Sequence, residues 1–322
     1  MENLNRVFTP DRREIIALKR EKGKIYLGIP SGSLYEQVIR LCQKAGMIKE
    51  SPGRIYKFQS LFKGIIFQIL DRKEMAVEVA LGTIDAGITG KDYIEEFGNP
   101  NEVEFIQDFI FSKKSNQPSR LVMISDPKVI STIEETKGKA IFTELPKLTS
   151  RKLKEGYGFS ENDLRNLCLS YGKTEQKLYT GRADAVTDIV ETGETIKANG
   201  FAELATLFYS NPQLIGNLNS LKDPAIREVI EDFGASLNAI LKAEKCPLYS
   251  VIMNVPRKKL EEVLAFLPSD QSPTISALQE SDWVAVNTLI PQADFNRIAP
   301  KLIRLGAKGI VPSKVDAIYR KD

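Results

Sequence analysis

A run of small and branched apolar residues, Ala183-Asp184-Ala185-Val186-Thr187-Asp188-Ile189-Val190, stops at Glu191-Thr192-Gly193-Glu194-Thr195. A short apolar run bounded by turn residues reads as a buried strand. A turn after such a strand, with Gly between two Thr, offers backbone N–H groups and hydroxyls to an anion. Asp188 and Glu191 stand just before it. Carboxylates beside an anion cradle suit the hydroxyls of a ribose, or a metal ion shared with phosphate oxygens. The layout is one that holds a phosphorylated ribose. The same residues also describe a strand–turn–helix in which Thr192 is only an N-cap. Capping alone does not require Asp188, Glu191 and Gly193 together.

Around this strand, strand-like and helical patterns alternate. Lys24–Pro30 is a compact apolar strand, then Ser31-Gly32-Ser33, then a helical pattern over Leu34–Ala45 closed by Gly46. Ile65–Leu70 is a strand, Lys73–Leu81 a helix ending at Gly82, and Asp85–Thr89 a short buried strand ending at Gly90. A second unit begins near Arg120 with the strand Leu121–Ser125. A turn at Asp126-Pro127, a strand at Ala140–Thr143 and a helix over Leu148–Gly156 follow. This alternation predicts an α/β sheet with parallel strands. Ala205–Phe208 is expected to be a strand returning to the first unit, and Leu221–Lys242 a long amphipathic helix leading out of it. From Tyr249 the pattern is strand (Tyr249–Val255), helix (Arg257–Leu267), strands (Thr274–Leu278 and Trp283–Leu289), helix (Asp294–Leu305) and strand (Ile310–Val311). That βαββαβ order is the ferredoxin-like unit.

A chain of 322 residues is long enough for two or three cores. Lys and Arg number 45 against 42 Asp and Glu, a net charge of +3. So even a balance suggests neither nucleic acid nor a membrane surface as a partner. Cys42, Cys168 and Cys246 lie far apart, without metal or redox spacing, and read as cytosolic thiols. No apolar run approaches a membrane span. The first 24 residues lack a secretory h-region and read as a charged extension with a helix from Asp11 to Lys22. The expectation is a cytoplasmic protein. The chain contains no histidine, which excludes imidazole as general acid, general base or metal ligand.

The stretch Glu175–Ile196 resembles the signature of the ATP phosphoribosyltransferase family of histidine biosynthesis. Glu175, Gly181, Ala183, Val186, Asp188, Ile189, Thr192, Gly193 and Thr195 fit that pattern in order, nine matches at fixed spacing. Ile196 departs conservatively. Pro30-Ser31-Gly32-Ser33-Leu34 looks like the family's N-terminal glycine loop, and Gly82–Asp92 is similar to its Gly-x-x-Asp-x-Gly-Ile-x-Gly-x-Asp motif. Arg120-Leu121 and Thr143–Thr149 match motifs of the second domain. Asn254-Val255-Pro256, Leu267-Pro268 and Ser272-Pro273-Thr274 match the start of the C-terminal regulatory domain that marks the long form. The resemblance implies an α/β catalytic region of two lobes, like periplasmic binding proteins, plus a C-terminal ferredoxin-like α+β domain. The expected divisions are an extension over 1–23, lobe I over 24–117 and 207–245, lobe II over 118–206, and the regulatory domain over 246–322.

The resemblance further implies a reaction of ATP with 5-phosphoribosyl 1-pyrophosphate (PRPP), a requirement for Mg²⁺, inhibition by histidine and a dimer or hexamer of identical chains. Asp188 and Glu191 are then the candidates for the ribose hydroxyls. Thr192, Gly193, Glu194 and Thr195 form the 5-phosphate turn. Gly32, Ser33, Arg54, Arg72, Gly90, Lys91 and Arg120 are candidates for ATP and pyrophosphate. Asn254, Thr274, Leu289 and Gly309 fall at positions that contact histidine in relatives. Two departures touch the ATP side. The family usually carries Arg where Asp71 falls, with Arg72 next door here, and the loop Arg of many members is Ser33. Two other readings stand beside the enzyme. One is a binding module that uses the same lobes without chemistry, and the other is a transferase with a different acceptor base.

Overall fold

The computed structural model describes residues 15, 18, 20–53, 55–99, 101–111, 118–268 and 272–319. The expected helix from Asp11 to Lys22 lies mostly outside them, as does Arg54. The chain divides into two compact units, Met1–Gly234 and Ala235–Asp322.

In the first unit, the apolar runs at Ile25–Pro30 (β1), Ile65–Leu70 (β3) and Ala86–Gly90 (β4) pair in parallel at the centre of one sheet. Burial is unbroken along β4 and nearly so along β1, and covers the first half of β3, the mark of strands covered on both faces. Lys57–Gln59 (β2) adds antiparallel to β3 at the edge. The helices Tyr35–Lys44 (α1), Arg72–Leu81 (α2) and Lys91–Phe97 (α3) alternate with these strands, and Val103–Asp108 (β5) follows. Asp71 caps α2 by accepting from Lys73 N–H at 2.9 Å, and Gly82 closes it in the left-handed region at φ 73°. Met75 of α2 presses directly on β1 and β4. A Cβ at Gly28 or Gly87 would overlap its sulfur.

The second sheet is contiguous in sequence. Ser119–Ser125 (β6), Ile141–Thr143 (β7), Leu167–Leu169 (β8), Ala185–Val190 (β9) and Ala202–Ser210 (β10) assemble in the order β10-β6-β9-β7-β8. Its helices are Pro146–Tyr157 (α4), Gln176–Tyr179 (α5) and Glu194–Ala198 (α6). The chain then returns through Pro212–Asn217 (β11), which inserts between β4 and β5 and completes the order β2-β3-β1-β4-β11-β5.

Two expectations are corrected here. Both sheets are mixed rather than parallel, because β11 runs antiparallel to β4 and β5, and β6 antiparallel to β9 and β10. The residues Ala205–Phe208 lie in β10 at the edge of the second sheet, and β11 is the returning strand. β10 and β11 belong to different sheets and are separated only by Asn211, so the change of sheet falls later than hydrophobicity alone suggests. The α/β first unit is thus built on two sheets, the bilobal arrangement expected.

Helix Pro224–Lys245 (α7) runs out of the first unit and into the second. There Leu248–Pro256 (β12), Leu260–Leu264 (α8), Thr274–Ala277 (β13), Trp283–Pro291 (β14), Gln292–Arg304 (α9) and Lys308–Lys314 (β15) form an antiparallel sheet of order β13-β14-β12-β15 with two helices. Val251, Met253, Val255, Val284, Val286 and Ile290 alternate onto one face and bury against Val263, Ile298 and Leu302. This is the ferredoxin-like α+β domain the sequence predicts. No helix among the described residues is long and apolar enough to cross a membrane.

Candidate active site

Strand ends of both sheets of the first unit converge on one cavity of about 640 Å³. Sites in α/β sheets gather at such loops because the strand termini leave backbone and side-chain groups unpaired there. The first sheet contributes Ser33 after β1, Arg72 after β3, and Gly90, Asp92 and Tyr93 after β4. The second contributes Glu144 after β7 and Thr187, Asp188 and Glu191 from the end of β9. Ser210, Asn211 and Pro212 line the cavity where the chain passes between sheets.

On the second-sheet wall, Asp188 is half-buried. Burial, and then the Glu175 carboxylate, push its pKa from 3.8 up to about 7. Its Oδ1 accepts from the Ile189 N–H at 2.7 Å. Behind it, the hydroxyls of Thr143, Thr149 and Thr187 form a closed buried triangle with edges of 2.7–3.0 Å. Thr143 Oγ1 also accepts from Leu145 N–H, which fixes the loop carrying Glu144. Glu144 reaches across to Lys73 of α2 at 3.2 Å.

On the first-sheet wall, Arg72 donates to Ser33 Oγ at 3.3 Å and lies over the Tyr93 ring at 5.3 Å. Thr89 Oγ1 holds the Arg72 carbonyl at 2.8 Å. Asp92 is 4% exposed, and it accepts from Ser210 Oγ at 2.6 Å while its N–H donates back to that oxygen at 3.1 Å. Burial raises the Asp92 pKa, against the hydrogen bond from Ser210 and the charge of Arg72. Burial likewise pushes Tyr93 up to about 12. The walls are joined away from the cavity by Glu96 of α3, 3% exposed, whose two oxygens accept from Lys147 N–H at 3.1 Å and Leu148 N–H at 2.7 Å at the start of α4.

Of the candidates read from the sequence, Ser33, Arg72, Gly90, Asp188 and Glu191 line the cavity together. Gly32 sits beside Ser33 with φ 76°. Lys91 lies over the Phe208 ring at 5.6 Å, with its N–H on the Asn211 carbonyl. Thr192, Glu194 and Thr195 are exposed beyond the cavity rim, whereas Gly193 is buried with φ 72°. Arg120 does not line the cavity. Its guanidinium is held by Glu203 at 2.8 and 3.3 Å and by Thr206 Oγ1 at 3.1 Å. In the second unit, Asn254 and Thr274 are exposed and Leu289 half-buried on the sheet face away from the helices. Gly309 of β15 is exposed with φ 60°.

Sequence reading assigned no role to Asp92, Tyr93, Glu144, Glu203 or Ser210. Asp92 and Glu144 stand inside the matched motifs Gly82–Asp92 and Thr143–Thr149, and that position is the signal that could have found them. Ser210 and Glu203 carry no local signal, because each acts on a residue distant in sequence. As for a metal, no group of three or more acidic or Cys side chains is gathered for one among the described residues. Asp188 and Glu191 alone suit a hard dication that keeps several waters and takes its remaining ligands from phosphate oxygens, the habit of Mg²⁺.

The family model described as "HisG: ATP phosphoribosyltransferase" matches residues 71–238, and that described as "HisG, C-terminal domain" matches residues 248–317. The chain is 35% identical to the ATP phosphoribosyltransferase of Trichlorobacter lovleyi over 286 residues, 88% of this chain and 95% of the relative. It is 35% identical to ATP phosphoribosyltransferase 1 of Geobacter sulfurreducens over 302 residues, 92% of this chain and 99% of the relative. Among solved structures, it resembles a chain of the ATP phosphoribosyl transferase (HisG:HisZ) complex from Thermotoga maritima. That match has a TM-score of 0.54 and 26% identity, over 68% of this chain and 98% of the other.

Proposed function

The chain belongs to the ATP phosphoribosyltransferase family of histidine biosynthesis, in its long form, and from that membership we propose that it joins N1 of ATP to C1 of PRPP, giving N1-(5-phosphoribosyl)-ATP and pyrophosphate. The observation that carries this reading is a single cavity with Asp188 and Glu191 on one wall and Ser33 and Arg72 on the other. Two phosphorylated substrates that must meet head-on need opposed walls of this kind.

Adenine N1 carries an in-plane lone pair and is neutral, so no general base has to deprotonate it. A histidine-free chain is compatible with that chemistry. The protein's task is alignment of N1 with C1 and stabilisation of an oxocarbenium-like centre. Asp188 and Glu191 hold the ribose hydroxyls, and the backbone of Thr192–Thr195 takes the 5-phosphate. Arg72, steadied by Ser33 and Tyr93, faces the ATP phosphates, with Gly32, Gly90 and Lys91 shaping the loops around them. Asp188 and Glu191 are the residues that would hold Mg²⁺, and the ion, when bound, would supply charge neutralisation for the pyrophosphate leaving group. Ionised Asp188 accepts from a ribose hydroxyl more strongly than the neutral acid does, so its raised pKa makes PRPP binding strengthen as pH rises through about 7.

The first unit is the catalytic part and the ferredoxin-like domain the regulatory part. Histidine binds on the helix-free sheet face, where Asn254 and Thr274 meet its amine and carboxylate, with Leu289 and Gly309 beside them. The same domain assembles identical chains into a hexamer.

The test mixes purified protein with ATP, PRPP and Mg²⁺ and follows phosphoribosyl-ATP by ultraviolet absorbance, with D188A as control. Turnover by the wild type and its loss in D188A are expected. PRPP binding without turnover would favour another acceptor base or a binding module. Histidine added to the same assay reads the regulatory part, and inhibition that persists unchanged in N254A would remove Asn254 from the effector site.

A further inference from the structure

On the reading of Thr192–Thr195 as the 5-phosphate turn, we propose that Glu203 is a positioning residue for that turn, and that Arg120 acts through Glu203 rather than on a substrate. Gly193 is buried, and a Cβ there would overlap Glu203 Oε1. The carboxylate therefore lies directly against the backbone of the turn, in space that only glycine leaves open. Both Glu203 oxygens are gripped by the Arg120 fork, Nη1 at 2.8 Å and Nη2 at 3.3 Å. Nη1 also donates to Thr206 Oγ1 at 3.1 Å. A forked guanidinium on a carboxylate fixes direction as well as distance.

The backbone is shaped to make this contact. Register places Glu203 opposite Ile124 and Arg120 opposite Tyr209, far apart along the ladder. Register shifts between Glu203 and Ala205 and between Thr206 and Phe208 interrupt β10 between them. Irregularities of this kind re-aim side chains beside functional sites. The pair is only partly exposed, 24% at each side chain, so solvent screens it incompletely.

A carboxylate against a phosphate-binding turn repels phosphate if it stands alone. Arg120 cancels that charge, and the pair then supports the turn as a neutral wedge. Arg120 is thereby occupied by Glu203 and Thr206 and does not line the cavity; its Nη2 lies 3.9 Å from where a Cβ of Gly193 would sit, so the fork stands behind the turn together with Glu203.

The experiment compares R120Q, E203Q and the double variant for turnover of ATP and PRPP at saturating Mg²⁺. R120Q leaves the carboxylate uncompensated, and it is expected to raise KM for PRPP on the order of tenfold while KM for ATP stays within about twofold. E203Q keeps the shape and one acceptor but removes the anion, so KM for PRPP should fall by about threefold. The double variant should return to within about threefold of the wild type. A role limited to folding would not produce KM shifts of opposite sign.

A double variant as weak as R120Q would overturn the proposal and place Arg120 on the substrate, as would an equal rise in KM for ATP. If R120Q fails to fold, E203Q decides alone: a lower KM for PRPP supports the proposal, and an unchanged or higher one refutes it. Absence of turnover in the wild type would sink the underlying enzymatic reading instead. Wild-type turnover with no PRPP-specific shift in the variants would sink only the positioning role.

Discussion

Replacing Asp188 with Asn separates what the carboxylate does for catalysis from what its burial does to the fold. Asp188 titrates near 7 in the folded chain against 3.8 for an ordinary aspartate. Between those values the folded chain keeps a proton that the unfolded chain has lost. Stability therefore falls as pH rises through that window and levels off above it. At about 1.4 kcal/mol per pH unit, the gap sets a ceiling of roughly 4 kcal/mol. Water reaching a carboxyl on the cavity wall lowers this to roughly 1–2 kcal/mol. The amide in D188N mimics the protonated acid, since it still accepts from Ile189 N–H and does not ionise. D188N is expected to melt above the wild type at about pH 8, by roughly 2–4 °C per kcal/mol. The gain shrinks as pH falls and is gone below about pH 4. Turnover should move the other way, falling on the order of a hundredfold or more. Thermal melts of both proteins across this range, with absorbance assays on the same samples, provide the test. A melting point of D188N equal to or below that of the wild type at the alkaline end would refute the reasoning.

G193A forces an L-residue to φ 72° and against Glu203, a cost of about 1–2 kcal/mol from the backbone alone; calorimetric titration should show PRPP binding weakened by about tenfold, and wild-type affinity would count against a fixed turn. E96A removes a carboxylate that caps two N–H groups of α4 and should destabilise the first unit by roughly 1–3 kcal/mol, read from the urea midpoint and from faster hydrogen exchange at Lys147 and Leu148. G28A pushes a methyl into Met75 and Ile84 and should cost about 1–3 kcal/mol by overpacking, with no change in substrate KM beyond what unfolding explains. R72M loses the Ser33 hydrogen bond and the cation over Tyr93; KM for ATP should rise on the order of tenfold, and a larger rise for PRPP would reverse the assignment of the two walls.

Much of this was legible from sequence because the information was local. Ile25–Pro30, Ile65–Leu70 and Ala86–Gly90 are dominantly apolar runs, broken only by Gln68 and Thr89, and such runs become central strands where helices cover both faces. Asp71 and Gly82 bracket α2 by chemistry that needs no tertiary context. β2 and β8, three residues each, are too short to show a period, and β11 declares its place only by inserting between β4 and β5. The site divides in the same way. Asp188 and Glu191 could be read because strand, acids and turn follow one another. The Asp92–Ser210 and Arg120–Glu203 contacts join residues 118 and 83 positions apart, and a polar residue in an edge strand looks the same whether or not an arginine awaits it.

The insertion of β11 also orders events in time. The second sheet lies within residues 119–210, so all its strands are available once that stretch has left the ribosome. The first sheet begins at residue 25, yet among the described strands β5 pairs only with β11, and β4 is bare on one side until residues 212–217 arrive. Synthesis thus reverses the usual order in which N-terminal structure closes first. The earlier-made strands must wait, with unpaired edges and apolar faces, through the whole production of their partner lobe. That interval is when this chain is most exposed to edge-to-edge aggregation.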